Sequence, residues 1–119
     1  MIRLTLALIA LAASGAAQAT CIYPRAPDKV PDGATATYEE MVAAQKVVQQ
    51  FNEDINAYNS CLDLEMATLE KSGTYDENRL QELRAIQAKK NNAAVDEVTA
   101  LADRFNEQLR AFKARDKQN

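Results

Sequence analysis

The sequence contains no histidine and no tryptophan. Without histidine the chain has no imidazole to act as a general base, to ligate a metal or to activate a serine or cysteine nucleophile. It also has no glycine-rich phosphate loop, EF-hand ligand spacing or haem-attachment motif. Its carboxylates stand at spacings typical of solvated helix surfaces rather than of a paired catalytic site. We therefore predict that the protein is not an enzyme and has no catalytic, cofactor-binding or metal-binding residues.

A concentrated basic patch is also missing. When residues 1–19 are set aside with Arg3, the 14 Lys and Arg fall to 13 against 17 Asp and Glu, a net charge of −4. Binding to nucleic acid depends on clustered Lys and Arg facing the phosphates. We expect no nucleic acid partner.

Glycine and proline are scarce, with three of each, and the prolines all lie between residues 24 and 31. Thr37 and Glu40 fit a capping box, and the Ser72-Gly73 pair can close a helix through a left-handed glycine. We predict one helix from Thr37 to Ser72, about 50 Å long at ~1.5 Å per residue. Its apolar or small residues recur at helical spacing: Met41, Ala44, Val48, Phe51, Ile55, Tyr58, Leu62, Met66 and Leu69.

A second helical segment follows. The residues Thr74-Tyr75-Asp76-Glu77 resemble a second capping box. Asparagine is a poor helix former, so Asn91-Asn92 could divide the segment, but without glycine or proline nearby a continuous helix is favoured. The second apolar stripe comprises Leu80, Leu83, Ile86, Ala94, Val98, Leu101, Phe105, Leu109 and Phe112.

The short connection at Ser72-Gly73 predicts that the two helices are antiparallel neighbours. This register would lay Leu62 near Ala85, and Phe105 near the start of the first helix. The predicted fold class is all-α, with a long antiparallel helical hairpin over residues 37–119. A three-helix bundle is the alternative if the asparagines break the second helix.

Residues 1–19 match a removable secretion signal. Arg3 precedes an apolar run from Leu4 to Ala13, and Ala17-Gln18-Ala19 fits the Ala-x-Ala cleavage pattern. The apolar run is too short to span a bilayer of about 30 Å, which disfavours a retained anchor. Lipidation of Cys21 is also disfavoured, because the three residues before it include no aliphatic residue of the lipoprotein type. We predict a periplasmic or secreted protein with no membrane span after cleavage.

Cys21 and Cys61 are the only cysteines. In an exported chain, such a pair predicts one structural disulfide. Residues 20–36, which hold the three prolines and the turn-forming Asp32-Gly33, are predicted to form an extended arm that folds back along the first helix and is tied there. An intermolecular bridge and a redox pair remain as alternatives, although the latter lacks the close Cys-x-x-Cys spacing that lowers a thiol pKa.

Part of the chain resembles a group of uncharacterised small exported helical proteins of Gram-negative bacteria. The resemblance implies an exported helical protein with a paired cysteine framework, and it implies no activity. It covers roughly residues 21–65 and rests on Cys21, Pro27, Pro31-Asp32-Gly33, Ala36-Thr37, Glu39-Glu40-Met41, Tyr58, Cys61-Leu62 and Glu65.

A hairpin of two helices leaves part of its apolar stripes exposed unless something covers them. We therefore predict a protein-protein interaction or scaffold protein of the periplasm. Its partner would be a second copy, forming a homodimer, or another envelope protein. A chaperone for unfolded exported clients and a bundle that binds a small ligand are the alternatives.

Overall fold

The computed structural model describes residues 20–117. The predicted signal at residues 1–19 and the last two residues lie outside the described residues. The described part contains two helices and no strand: α1 spans Tyr38–Lys71 and α2 spans Glu77–Asp116. An arm formed by residues 20–36 precedes them and is joined to α1 by the Cys21–Cys61 disulfide. The predicted all-α hairpin with a tied arm is therefore confirmed.

Both predicted ends of α1 are confirmed. The Thr37 hydroxyl accepts from the Glu40 amide at 3.2 Å, and the Glu40 carboxylate accepts from the Thr37 amide at 2.7 Å. Such a cap stabilises a helix by about 1 kcal/mol. At the other end, Ser72 is the C-cap and Gly73 has a φ of 67°, the left-handed conformation that glycine adopts without steric cost.

The predicted capping box at Thr74 is wrong. The N-cap of α2 is Asp76, whose carboxylate accepts from the Arg79 amide at 2.8 Å. Aspartate is at least as good an N-cap residue as threonine. Its negative charge also interacts favourably with the positive end of the helix dipole. Glu77, which the box required, instead accepts from Arg84 at 2.9 Å. Thr74 therefore belongs to the connection between the helices.

The second helix is continuous. It passes through Asn91-Asn92 without a break, so the hairpin rather than the three-helix bundle is the fold. The predicted register is also close to the one observed. Leu62 and Ile86 line the same groove, and Phe105 packs with Met41 in the first turn of α1.

The core has two clusters, both towards the end of the hairpin where α1 begins and α2 ends, which we call the open end. The opposite end, at residues 72–76, is the turn end. Val30 of the arm packs against both clusters, and Ala26 packs against the second. The arm is thus a third layer that covers the groove between the helices. The buried members are Ala36, Met41, Phe105 and Phe112 in the first cluster, and Phe51, Ile55, Ala94 and Leu101 in the second.

Candidate functional site

The arm is fixed to α2 at a point where their backbones touch. The Gly33 amide donates to the side-chain oxygen of Gln108 at 2.9 Å. A Cβ on Gly33 would lie 1.8 Å from the Gln108 carbonyl oxygen and 2.9 Å from the Phe112 nitrogen. Only a residue without a side chain fits this approach.

A compact turn beside this contact presents the arm's carbonyl groups to α2. The Asp32 carboxylate accepts from the Ala34 amide at 2.9 Å, and the Asp32 carbonyl accepts from the Ala36 amide at 2.8 Å. Arg115 donates to the carbonyls of Ala34 and Ala36 at 3.1 and 2.8 Å, while its guanidinium lies 4.8 Å from the centre of the Phe112 ring. These contacts bind the arm to the last turns of α2.

The other end of the arm is held by the disulfide and by Tyr23. The Cα atoms of Cys21 and Cys61 lie 5.7 Å apart, within the usual range for a disulfide. The Tyr23 hydroxyl donates to the Glu97 carboxylate, and its ring meets Tyr58 edge-on with centroids 5.0 Å apart. Partial burial, followed by the hydrogen bond to Glu97 and the negative charge there, raises the pKa of Tyr23 to about 12.

The groove continues beyond the disulfide, where the arm no longer covers it. On α1, Glu65 and Leu69 lie one and two turns after Cys61. On α2, Lys90 and Ile86 lie two and three turns before Glu97, and so on the side that faces the arm. We call this uncovered part the turn-end groove. It is lined by Leu62, Glu65, Met66, Leu69, Leu83, Ile86, Gln87 and Lys90.

A recess of about 360 Å³ joins the end of the arm to this groove. Thr20 and the disulfide line it together with residues of α1, among them Leu64, Glu65 and Leu69. Leu64 is 71% exposed. The start of the arm therefore lies beside the turn-end groove, in which Leu62 and Met66 are buried and Ile86 is 45% exposed.

Polar side chains also link the two helices next to the turn-end groove. The Gln87 amide group donates to the Asp63 carboxylate across the helices. One turn closer to the open end, Asn59 and Asn91 each have a buried side-chain oxygen without a hydrogen-bond partner among the described residues. Along the helices, Asn59 and Asn91 therefore lie between the second core cluster and the turn-end groove.

No protein-family model, curated protein or solved structure matches this chain. Within residues 20–117, no three histidine, cysteine, aspartate or glutamate side chains are grouped to hold a metal ion. Neither α1 nor α2 combines the length and apolar character that a membrane-crossing helix requires.

The sequence prediction named one pair of site residues, and the structure joins them: Cys21 and Cys61 form an intramolecular disulfide. It missed the contacts of the arm with α2. The Asp32-Gly33 pair indicates a turn, but nothing in its neighbourhood identifies Gln108 or Arg115 as the groups it meets.

Proposed function

We propose that the chain is a non-enzymatic interaction or scaffold protein of the periplasm, or a secreted one, and that it binds a protein partner through the turn-end groove. The observation that carries the proposal is the incomplete cover of the helical hairpin. The arm fills the groove at the open end, and the same groove is empty of chain from the disulfide to the turn end within the described residues.

The exposed side chains in and around this groove are the kind that protein interfaces bury. Leu64 is 71% exposed and Ile86 is 45% exposed. Glu65 and Lys90 stand among the aliphatic residues, giving an apolar floor with charged groups at its margin. Apolar side chains bordered by charged ones are the usual anatomy of a protein interface.

Export is supported by three features. Residues 1–19 match a secretion signal, the Cys21–Cys61 disulfide suits an oxidising compartment, and the resemblance to small exported Gram-negative proteins implies the same location. The lack of any histidine in the sequence supports a non-enzymatic role, because it removes the imidazole that many catalytic sites use.

The test is photocrosslinking in intact cells that export the protein. A photoreactive residue at Ile86 should give a discrete adduct, while one at Val95 should not. These positions lie on the same helix and are 45% and 48% exposed, so they differ in location rather than accessibility. No adduct at Ile86, or equal adducts at both positions, would contradict the proposal.

The chaperone alternative makes a different prediction. It requires that the purified protein suppress the aggregation of unrelated unfolded proteins, and that the substitution Ile86→Asp abolish this effect. A scaffold with a defined partner would not protect unrelated proteins.

A further inference from the structure

We infer that the turn-end groove binds an extended segment of its partner, rich in small apolar residues and proline, which lies end to end with the arm. This inference rests on the proposed function and specifies the chemistry of the partner. The arm supports it, because the arm packs against both core clusters at the open end of the same groove.

The arm demonstrates which kind of chain this groove accepts. Residues 20–36 form neither helix nor strand. Ala26 and Val30 pack against the core, and Pro24, Pro27 and Pro31 are all partly buried. Proline has no amide hydrogen, so it can be buried against aliphatic side chains without leaving a donor unpaired.

The turn-end groove offers the same chemistry. Its floor is aliphatic, and its polar side chains from α2 repeat the types that hold the arm. At the open end, the Gln108 side chain accepts a hydrogen bond from an arm amide, and Arg115 donates hydrogen bonds to arm carbonyls. Gln87 and Lys90 supply an amide and a cation at the groove. The Gln87 amide group donates to Asp63, which fixes the side chain and keeps its oxygen as an acceptor.

The size of the groove sets the length of the segment. On α1 the groove runs from Leu62 to Leu69, a rise of about 10 Å at ~1.5 Å per residue. An extended proline-containing chain advances by about 3.1 Å per residue, so about three residues fill the groove. Glu65 and Lys90 carry opposite charges, and the groove therefore favours a segment without net charge.

The experiment measures the binding of two synthetic peptides to the oxidised protein by fluorescence anisotropy. The first is a capped, labelled peptide of alternating alanine and valine with two prolines. The second is its matched control, in which asparagine replaces each valine. The first should bind saturably, and the second should bind at least tenfold more weakly, because its side chains remain better solvated in water.

Variants place the binding in the groove. Ile86→Asp should weaken binding of the first peptide at least tenfold, and Val95→Asp should leave it within twofold. Leu64→Ser provides a second test in the adjoining recess, at a position that is already 71% exposed, where folding is least affected, and it should weaken binding several-fold. Helix content by circular dichroism confirms that each variant is folded.

Three results would overturn the inference. The first is that neither peptide binds while the crosslink at Ile86 persists, which refutes the extended segment and leaves the proposed function standing. The second is tighter binding of an amphipathic helical peptide. The third is a dimer in sedimentation that Ile86→Asp dissociates, because the occupant is then a second copy. Loss of the crosslink itself would refute the proposed function instead.

Discussion

Replacing Gly33 by alanine tests how the arm is seated. The added Cβ would lie 1.8 Å from the Gln108 carbonyl oxygen, whereas real Cβ atoms essentially never come under 3.0 Å. The arm must therefore withdraw from α2 by at least 3.0 − 1.8 = 1.2 Å. The backbone of α2 cannot yield by the same amount, since its helical hydrogen bonds fix it.

This withdrawal breaks specific contacts. The 2.9 Å bond from the Gly33 amide to Gln108 is lost, and the two bonds from Arg115 to the arm carbonyls lengthen. A lost neutral hydrogen bond costs about 1 kcal/mol, and overpacking typically costs about 1–3 kcal/mol. We expect Gly33→Ala to lower the free energy of unfolding by about 2–4 kcal/mol.

Gly73 provides the matched control. Its φ of 67° makes alanine unfavourable there, but nothing lies within 4 Å of the added Cβ, so the expected cost is only about 1 kcal/mol. The assay is urea denaturation of the oxidised protein, followed by circular dichroism. If Gly33→Ala costs no more than Gly73→Ala, the close approach of the arm to α2 is refuted.

Two further predictions concern the other end of the arm. The disulfide joins cysteines 40 residues apart, and in the chain-entropy model closing a loop of this size stabilises the fold by about 4 kcal/mol. The double variant Cys21→Ser/Cys61→Ser should therefore lose most of this free energy of unfolding in urea denaturation. A loss below about 1 kcal/mol would contradict the model. Because the pKa of Tyr23 is raised from 10.0 to about 12, the folded state holds this proton more tightly than the unfolded state. Its contribution to stability is fully present below pH 10 and is lost as the pH rises towards 12. Tyr23→Phe should remove this pH dependence and the tyrosinate transition at about pH 12 in an ultraviolet absorbance titration, and an unchanged titration would refute the hydrogen bond to Glu97.

Local signals in the sequence account for most of the fold. The capping box at Thr37 and the glycine at position 73 mark the ends of α1 through contacts within a few residues, and these are the contacts that a sequence pattern encodes. The start of α2 was predicted wrongly, because Thr74 and Asp76 are both good cap residues and lie only two positions apart. In the structure Asp76 caps α2, and Glu77 pairs with Arg84 instead of completing a capping box with Thr74.

The position of the arm on α2 could not be predicted, because it depends on contacts between residues that are far apart in the sequence. Gly33 and Gln108 are 75 positions apart, and Ala36 and Arg115 are 79 apart. Neither pair has a spacing rule that could reveal it. The apolar stripes did identify most residues of the turn-end groove, including Leu62 and Ile86, but which part of the stripes the arm covers depends on its path in the folded chain.

The disulfide has a consequence for the covalent topology of the protein. It closes a ring that contains most of the arm and the first two thirds of α1, and α2 lies outside this ring. A proteolytic cut between Cys21 and Cys61 leaves a single covalent molecule. A cut in residues 72–76 instead separates α2, which is then held by non-covalent contacts alone. The covalent link between the ring and α2 is therefore the single stretch of chain from residue 62 to residue 76.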